Sequence, residues 1–309
     1  MKLVFLVYDS RSGSTLLSRE IAARFPDVYV SPEIRFDSLF GRDEGWWRNA
    51  SDGRVLRRLE AGRVPAKLGL ARDDLERLSA GARGIQPLID ELVARAAARD
   101  GRGRPAVAVI KSGRHLRVAR RILADIPDAH FLYVVRDPRA AIASKLSTER
   151  PYVPGQNMAW AGVGAAALQW CWYGRLARRL GSSSPFLAVK YESLLVDRAG
   201  TYMALERFLG SPRGAGGVRY RVPDAERSIH GRVIADGFDG SRASAWRAEL
   251  SRDDQSVIES VCGREMRRWG YDTELILDPI RTAALMAKAF AISAARVARE
   301  AVARLAGSR

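Results

Sequence analysis

Five residues near the start of the chain, Arg11, Ser12, Gly13, Ser14 and Thr15, are of the types that hold an oxyanion. Arginine presents a planar, permanently charged fork that can meet two oxygens of a phosphate or sulfate at once. The hydroxyls of Ser14 and Thr15 add donors. These residues lie where an apolar run, 3–7, gives way to a segment with helical spacing. Backbone N–H groups that open a helix have no partner within it, and with the helix dipole they favour negative charge. A nucleoside-triphosphate loop would carry two glycines bracketing four residues, then Lys and Ser or Thr. With Gly13 as the second glycine, Tyr8 stands at the first and Ser14 at the lysine, so that pattern fails twice. A second cationic point follows in FLYVVRDPRAAIASKLS. There Arg136 ends an apolar run, Pro138 suits a first helical turn, and Ser144 lies just over two turns beyond Arg136. Arg136 by charge and Ser144 by hydrogen bond could hold a second phosphate from different sides. Taken alone, Arg136 could equally pair with Asp137 or cap a helix.

These groups need a scaffold, and the hydrophobic pattern supplies one. Continuous apolar runs at 3–8, 106–110, 131–135 and 186–189 read as buried parallel strands, with helical spacing after the first three. Each run hands over to a polar or basic group: the Arg11 turn, Lys111, Arg136, and Lys190 with Tyr191. In open α/β sheets that edge is where ligands bind. The alternation predicts an α/β fold with a three-layer parallel sheet flanked by helices and joined by right-handed crossovers. Residues 1–278 are read as one domain. Within it, 41–104 is a helical insertion with Trp46, Trp47 and helices around 54–61 and 72–79. It either helps to build an acceptor pocket or simply packs. Residues 211–243, rich in Gly, Arg and Ser, read as a long loop. The tail at 279–309 is Ala-rich and basic, with Met286, Phe290, Val297 and Leu305 on one helical stripe. Such a helix could lie on a membrane surface or pack against its own domain or a second subunit.

Lys and Arg total 51 against 35 Asp and Glu, a net charge of +16, which favours an anionic partner. The arginines are spread through every segment, and no helix–turn–helix, zinc or stacking-aromatic signature accompanies them, so nucleic acid is not the expected partner. Cys171 and Cys262 have no metal-ligand spacing and suggest no disulfide framework, which fits a reducing compartment. The N-terminal apolar run is too short for a signal peptide, and no stretch of about 18 apolar residues occurs. A cytoplasmic location and no metal are the expectations.

Taken together and in this order, the Arg11–Thr15 turn and the Arg136/Ser144 segment resemble the 5′-phosphosulfate loop and the 3′-phosphate segment of sulfotransferases that use 3′-phosphoadenylyl sulfate (PAPS). VKYESLLVDRAGTYMALERFLG resembles the following strand and helix of that family, where Tyr-Glu-x-Leu is usual. The resemblance spans roughly 1–40 and 106–278. It implies a single α/β domain related to the P-loop kinases. The donor's phosphosulfate would lie on Arg11, Ser12, Gly13, Ser14 and Thr15, and its 3′-phosphate on Arg136 and Ser144. Tyr191 would contact donor or acceptor, and Arg242, in the C-terminal loop near Trp246, would reach the 3′-phosphate.

The same likeness assigns the chemistry. Lys111, ending its strand in VAVIKSG, and Arg11 would neutralise the leaving oxygen. Glu33-Ile34-Arg35 is similar to the Glu-x-Arg of the tyrosylprotein branch, where the glutamate is the base. The phenol and steroid branch instead uses a His two residues after the lysine, a place held here by Gly113, with His115 two further on. Glu33 is therefore favoured over His115, with an ion pair to Arg35 as its plain structural alternative. The expected reaction is sulfuryl transfer to a hydroxyl or amine of a small-molecule, carbohydrate or glycolipid acceptor. A P-loop kinase and a non-catalytic anion- or membrane-surface-binding protein are the alternatives.

Overall fold

In the computed structural model, β1 (Lys2–Tyr8) is covered on both faces, which is why its sequence is a continuous apolar run rather than an alternating one. The structure describes residues 1–40, 52–81, 83–150, 153–214, 220, 239–274 and 278–306. Trp46, Trp47, most of the 211–243 loop and the Leu305 side chain lie outside the described residues. Beside β1 lie β2 (Val28–Val30), β3 (Val107–Lys111) and β4 (His130–Val135). A short antiparallel hairpin, β5 (Glu149–Arg150) and β6 (Val153–Asn157), precedes β7 (Phe186–Lys190). The main sheet runs β2-β3-β1-β4-β7, with every neighbouring pair parallel.

Helices close both faces. On one side, Phe5, Val7, Phe131 and Tyr133 pack with α5 (Ile85–Arg99), α8 (Val163–Gly181) and α12 (Arg252–Arg268). On the other, Val4, Leu6 and Tyr8 pack with Leu17 and Ile21 of α1 (Ser14–Arg24) and Leu205 and Leu209 of α10 (Arg198–Leu209). The expected three layers are present. The described part of the insertion forms α2 (Asp52–Ala61), α3 (Val64–Leu68), α4 (Arg72–Gly81) and α5, and its Leu59, Leu68, Leu75 and Leu92 join the first core. The tail is one helix, α13 (Pro279–Ala306). It meets its own domain through Ser293, whose hydroxyl accepts from the Ala165 N–H at the start of α8, and through Arg296, which donates to the Trp160 carbonyl. Val297 and Val302 beyond are exposed. Among the described residues no helix is long and apolar enough to cross a membrane.

Two buried polar arrangements set the sheet's C-terminal edge. Asp9, directly after β1, pairs with Lys145 of α7 (Pro138–Leu146) at 2.5 Å and accepts from Gln169 of α8 at 2.6 Å. Both ionised side chains are almost wholly enclosed. This pair ties the turn after β1 to the helix after β4. The second arrangement is His115, in the 3₁₀ turn Gly113–Val118. It is fully buried between Phe5 and Phe36, and among the described residues neither ring nitrogen has a hydrogen-bond partner. Desolvation holds its pKa down, from 6.5 to about 4, so the imidazole is neutral in the fold.

Each arrangement has a measurable consequence. Lys145→Met leaves the Asp9 carboxylate enclosed without its counter-charge and should cost about 3–5 kcal/mol in urea denaturation. Adding Asp9→Asn should restore part of that loss, and a double variant no more stable than Lys145→Met would count against the pair as its source. For His115, the unfolded chain binds the proton that the core refuses, so stability falls as pH drops from 6.5 towards about 4. Complete loss of this contribution amounts to about 3 kcal/mol. Between pH 7 and pH 4 the wild type should therefore lose about that much more stability than His115→Leu, and parallel pH profiles would refute the assignment.

Candidate functional site

The turn from Asp9 to Gly13 is shaped by its own backbone. Arg11 has φ 68° and Gly13 φ 91°, both in the left-handed region, so the chain doubles back before α1 begins. Gly13 is required twice over. Its φ suits glycine, and a Cβ there would lie 2.2 Å from the Tyr191 ring. Gly13 is the N-cap of α1 and supplies no side-chain cap, so the first-turn N–H groups face the turn rather than a capping oxygen.

On the β4 and β7 side of this turn, four of the sequence-identified groups converge around Arg11. The Arg11 Nε donates to Ser144 Oγ at 2.9 Å. Arg136 donates to the Arg11 carbonyl at 3.2 Å and to the Arg242 carbonyl at 2.9 Å. Its guanidinium lies over the Tyr191 ring, 4.4 Å from the centroid. Arg136 is buried, and among the described residues its Nε has no hydrogen-bond partner. Among the described residues, neither Arg11 nor Arg136 forms an ion pair with a carboxylate, while Arg242 has Asp239 at 3.4 Å. Burial lowers the pKa of Arg11 to about 10, and the like charges of Arg136 and Arg242 add to the effect. Burial likewise lowers that of Arg136. Buried Arg136, half-buried Arg11 and partly exposed Arg242 are thus close enough to feel one another's charge, an arrangement that an incoming polyanion would relieve.

Why Arg136 is held so firmly follows from its neighbours. Trp170 Nε1 donates to the Arg136 carbonyl at 3.0 Å, fixing the strand tip. Asp137 caps α7 by accepting from the Arg139 N–H, with Pro138 in the first turn. Glu192 accepts from the Asp137 N–H and from the Tyr271 hydroxyl. Arg139, three residues on, behaves differently from Arg136. It is bound by Asp137 and Glu259, each at 2.7 Å, and stacks 4.0 Å from the Trp246 ring. It is a structural tie to the C-terminal segment, and Trp246 is occupied by that contact.

On the β3 side, Lys111 is buried and its Nζ donates to Thr15 Oγ1 at 3.0 Å. The ring of Tyr220 lies 5.5 Å away, and its hydroxyl donates to the Ser31 carbonyl. Glu33 reaches this neighbourhood through the backbone. The Lys111 N–H donates to Ser31 Oγ and the Ile34 N–H to the Lys111 carbonyl, so 31–34 continue along β3 past the end of β2. Glu33 is half-buried there. His115 does not share the space: it lies in the core on the opposite face of the sheet. Gly113 is equally closed to a larger residue, because a Cβ there would be 2.4 Å from the Tyr8 carbonyl oxygen.

Sequence reasoning missed Asp9, Lys145 and Gln169, which hold the two halves in register. A signal was present. An Asp closing a fully apolar strand and a lone Lys in an alanine-rich helix are opposite charges, each in a context that buries.

The architecture has known relatives. The chain is similar in structure to the sulfotransferase domain of the Synechococcus PCC 7002 olefin synthase, at 18% identity and TM-score 0.57, covering 89% of this chain and 96% of that one. It is also similar to the sulfotransferase domain of the curacin biosynthetic pathway, at 17% identity and TM-score 0.57, covering 88% and 99%. At these identities the likeness speaks to the fold. A comparison with curated proteins returned no match. The model of the sulfotransferase family matches residues 4–214, which include the Arg11 turn, Lys111, the Arg136 segment and Tyr191. The chain belongs to the sulfotransferase family.

Proposed function

We propose that this transferase moves the sulfuryl group of 3′-phosphoadenylyl sulfate to a hydroxyl, or an amine, of a small-molecule, carbohydrate or glycolipid acceptor. The observation that carries the reading is the cluster of Arg11, Arg136 and Arg242, in which Arg136 is buried and Arg11 half-buried and neither of these two has a carboxylate partner among the described residues, beside the uncapped start of α1. A donor with phosphates at both ends of its nucleoside supplies the missing negative charge at two places. The 3′-phosphate falls to Arg136, Arg242 and Ser144. The phosphosulfate falls to the 12–15 backbone and hydroxyls, with Arg11 between them.

Transfer is an in-line displacement. The acceptor oxygen attacks sulfur while the bond from sulfur to the donor phosphate oxygen breaks, leaving adenosine 3′,5′-bisphosphate. Lys111, fixed by Thr15, and Arg11 oppose the charge that grows on the leaving oxygen. Glu33, held beside Lys111 by strand pairing, takes the proton from the acceptor. His115 is unsuited to that task, being dry, neutral and across the sheet.

In a thermal-shift titration, adenosine 3′,5′-bisphosphate should stabilise the protein, and Arg136→Ala should remove most of the gain. Stabilisation by Mg²⁺-ATP alone would favour a kinase and overturn the reading. Glu33→Gln should cut turnover by roughly 10²–10⁴ while stabilisation by the bisphosphate persists. Wild-type turnover in that variant would remove Glu33 from the mechanism.

A further inference from the structure

Tyr8 is the last residue of β1 and is 6% exposed, yet among the described residues its hydroxyl has no hydrogen-bond partner. A buried donor left unpaired is costly, and its presence points to an acceptor that arrives with a ligand. The side chain lies on the α1 face of the sheet, the face from which Lys111 reaches Thr15. Its ring lies against Gly113, the position that in the phenol and steroid branch holds the histidine base. Glu33 and Ser14 are both close enough to act on its ionisation, though neither makes a hydrogen bond of normal geometry with it. Burial first, and then the charge of Glu33, raise its pKa, so the phenol stays protonated and keeps a hydrogen to donate.

Resting on the reading above, Tyr8 stands between the carboxylate that would activate the acceptor and the loop hydroxyl that would hold the donor phosphosulfate. The sulfuryl group must cross that interval. We propose that the Tyr8 hydroxyl donates a hydrogen bond to an oxygen of the sulfuryl group as it passes from donor to acceptor, which makes Tyr8 a catalytic residue. No proton moves in this contact. The phenol keeps its hydrogen, and the acceptor proton still goes to Glu33.

Tyr8→Phe removes only the unpaired hydroxyl and keeps the packing on Gly113, so the unliganded variant should melt no lower than the wild type. Affinity for adenosine 3′,5′-bisphosphate, which has no sulfuryl group, should stay within about twofold by calorimetry. Sulfuryl transfer from labelled donor, to the acceptor returned by a panel of phenols, sterols, glycans and glycolipids, should fall roughly ten- to a hundredfold, as loss of one hydrogen bond to a charged group implies. Unchanged transfer would overturn the proposal. So would a loss of bisphosphate affinity as large as the loss of transfer, which would make the hydroxyl a support of the loop. A drop in melting temperature alongside lost activity would assign it to the fold instead. If the wild type fails to bind the bisphosphate, the donor reading itself falls and takes this inference with it; if it binds and Tyr8→Phe transfers normally, only the inference falls.

Discussion

A guanidinium that enters a protein interior normally brings a carboxylate with it, and among the described residues Arg136 has none. Its charge is met by the Arg11 and Arg242 carbonyls and the Tyr191 ring, which are dipoles and a quadrupole rather than counter-ions. Arg139, three residues on and in the first turn of α7, shows the ordinary solution, closed by Asp137 and Glu259. Much else at this edge of the sheet serves the exception. Trp170 and Glu192 pin the strand tip, and Tyr191 packs on Gly13 so that the turn and the arginine share one wall. The left-handed backbone at Arg11 turns that residue's own carbonyl towards Arg136 and its side chain towards Ser144.

How much of this was readable in the amino acids depended on the range of the interaction. Strands buried on both faces announce themselves as unbroken apolar runs, so four of the five parallel strands were legible within a residue or two. β2 was not, because three residues are too few to stand out from an apolar helix end, and the β5–β6 hairpin carries neither a tight Gly-containing turn nor clean alternation. The arginines of RDPR are equivalent on paper. What separates them is Glu259, 120 residues away in sequence. The Asp9–Lys145 contact spans 136 residues and is equally invisible to a local reading. The Arg11–Ser144 pairing was reachable because each lay in a motif already interpretable by itself, and the fold had only to bring the two motifs together.

Glu33 owes its position to backbone pairing rather than to a motif. Ser31 and Ile34 both bond to Lys111, so the carboxylate and the lysine are carried on adjacent backbones and move as one unit. A carboxylate mounted in this way needs no helix or loop closure to be brought beside the lysine. Its distance from the sheet edge is fixed when the strands pair.

The crowding at Gly113 limits how the chain could change its chemistry. The Tyr8 carbonyl leaves no room for even a methyl group there without displacing the end of β1, and with it the anion turn. Grafting an imidazole onto this spot, as in the phenol and steroid branch, would therefore first have to rebuild the strand that carries the Arg11 turn. Within this lineage, a carboxylate and a histidine are not interchangeable parts. Because the obstacle is a backbone oxygen, exchanging the Tyr8 side chain would not remove it, and a single substitution at 113 offers no path to a histidine there.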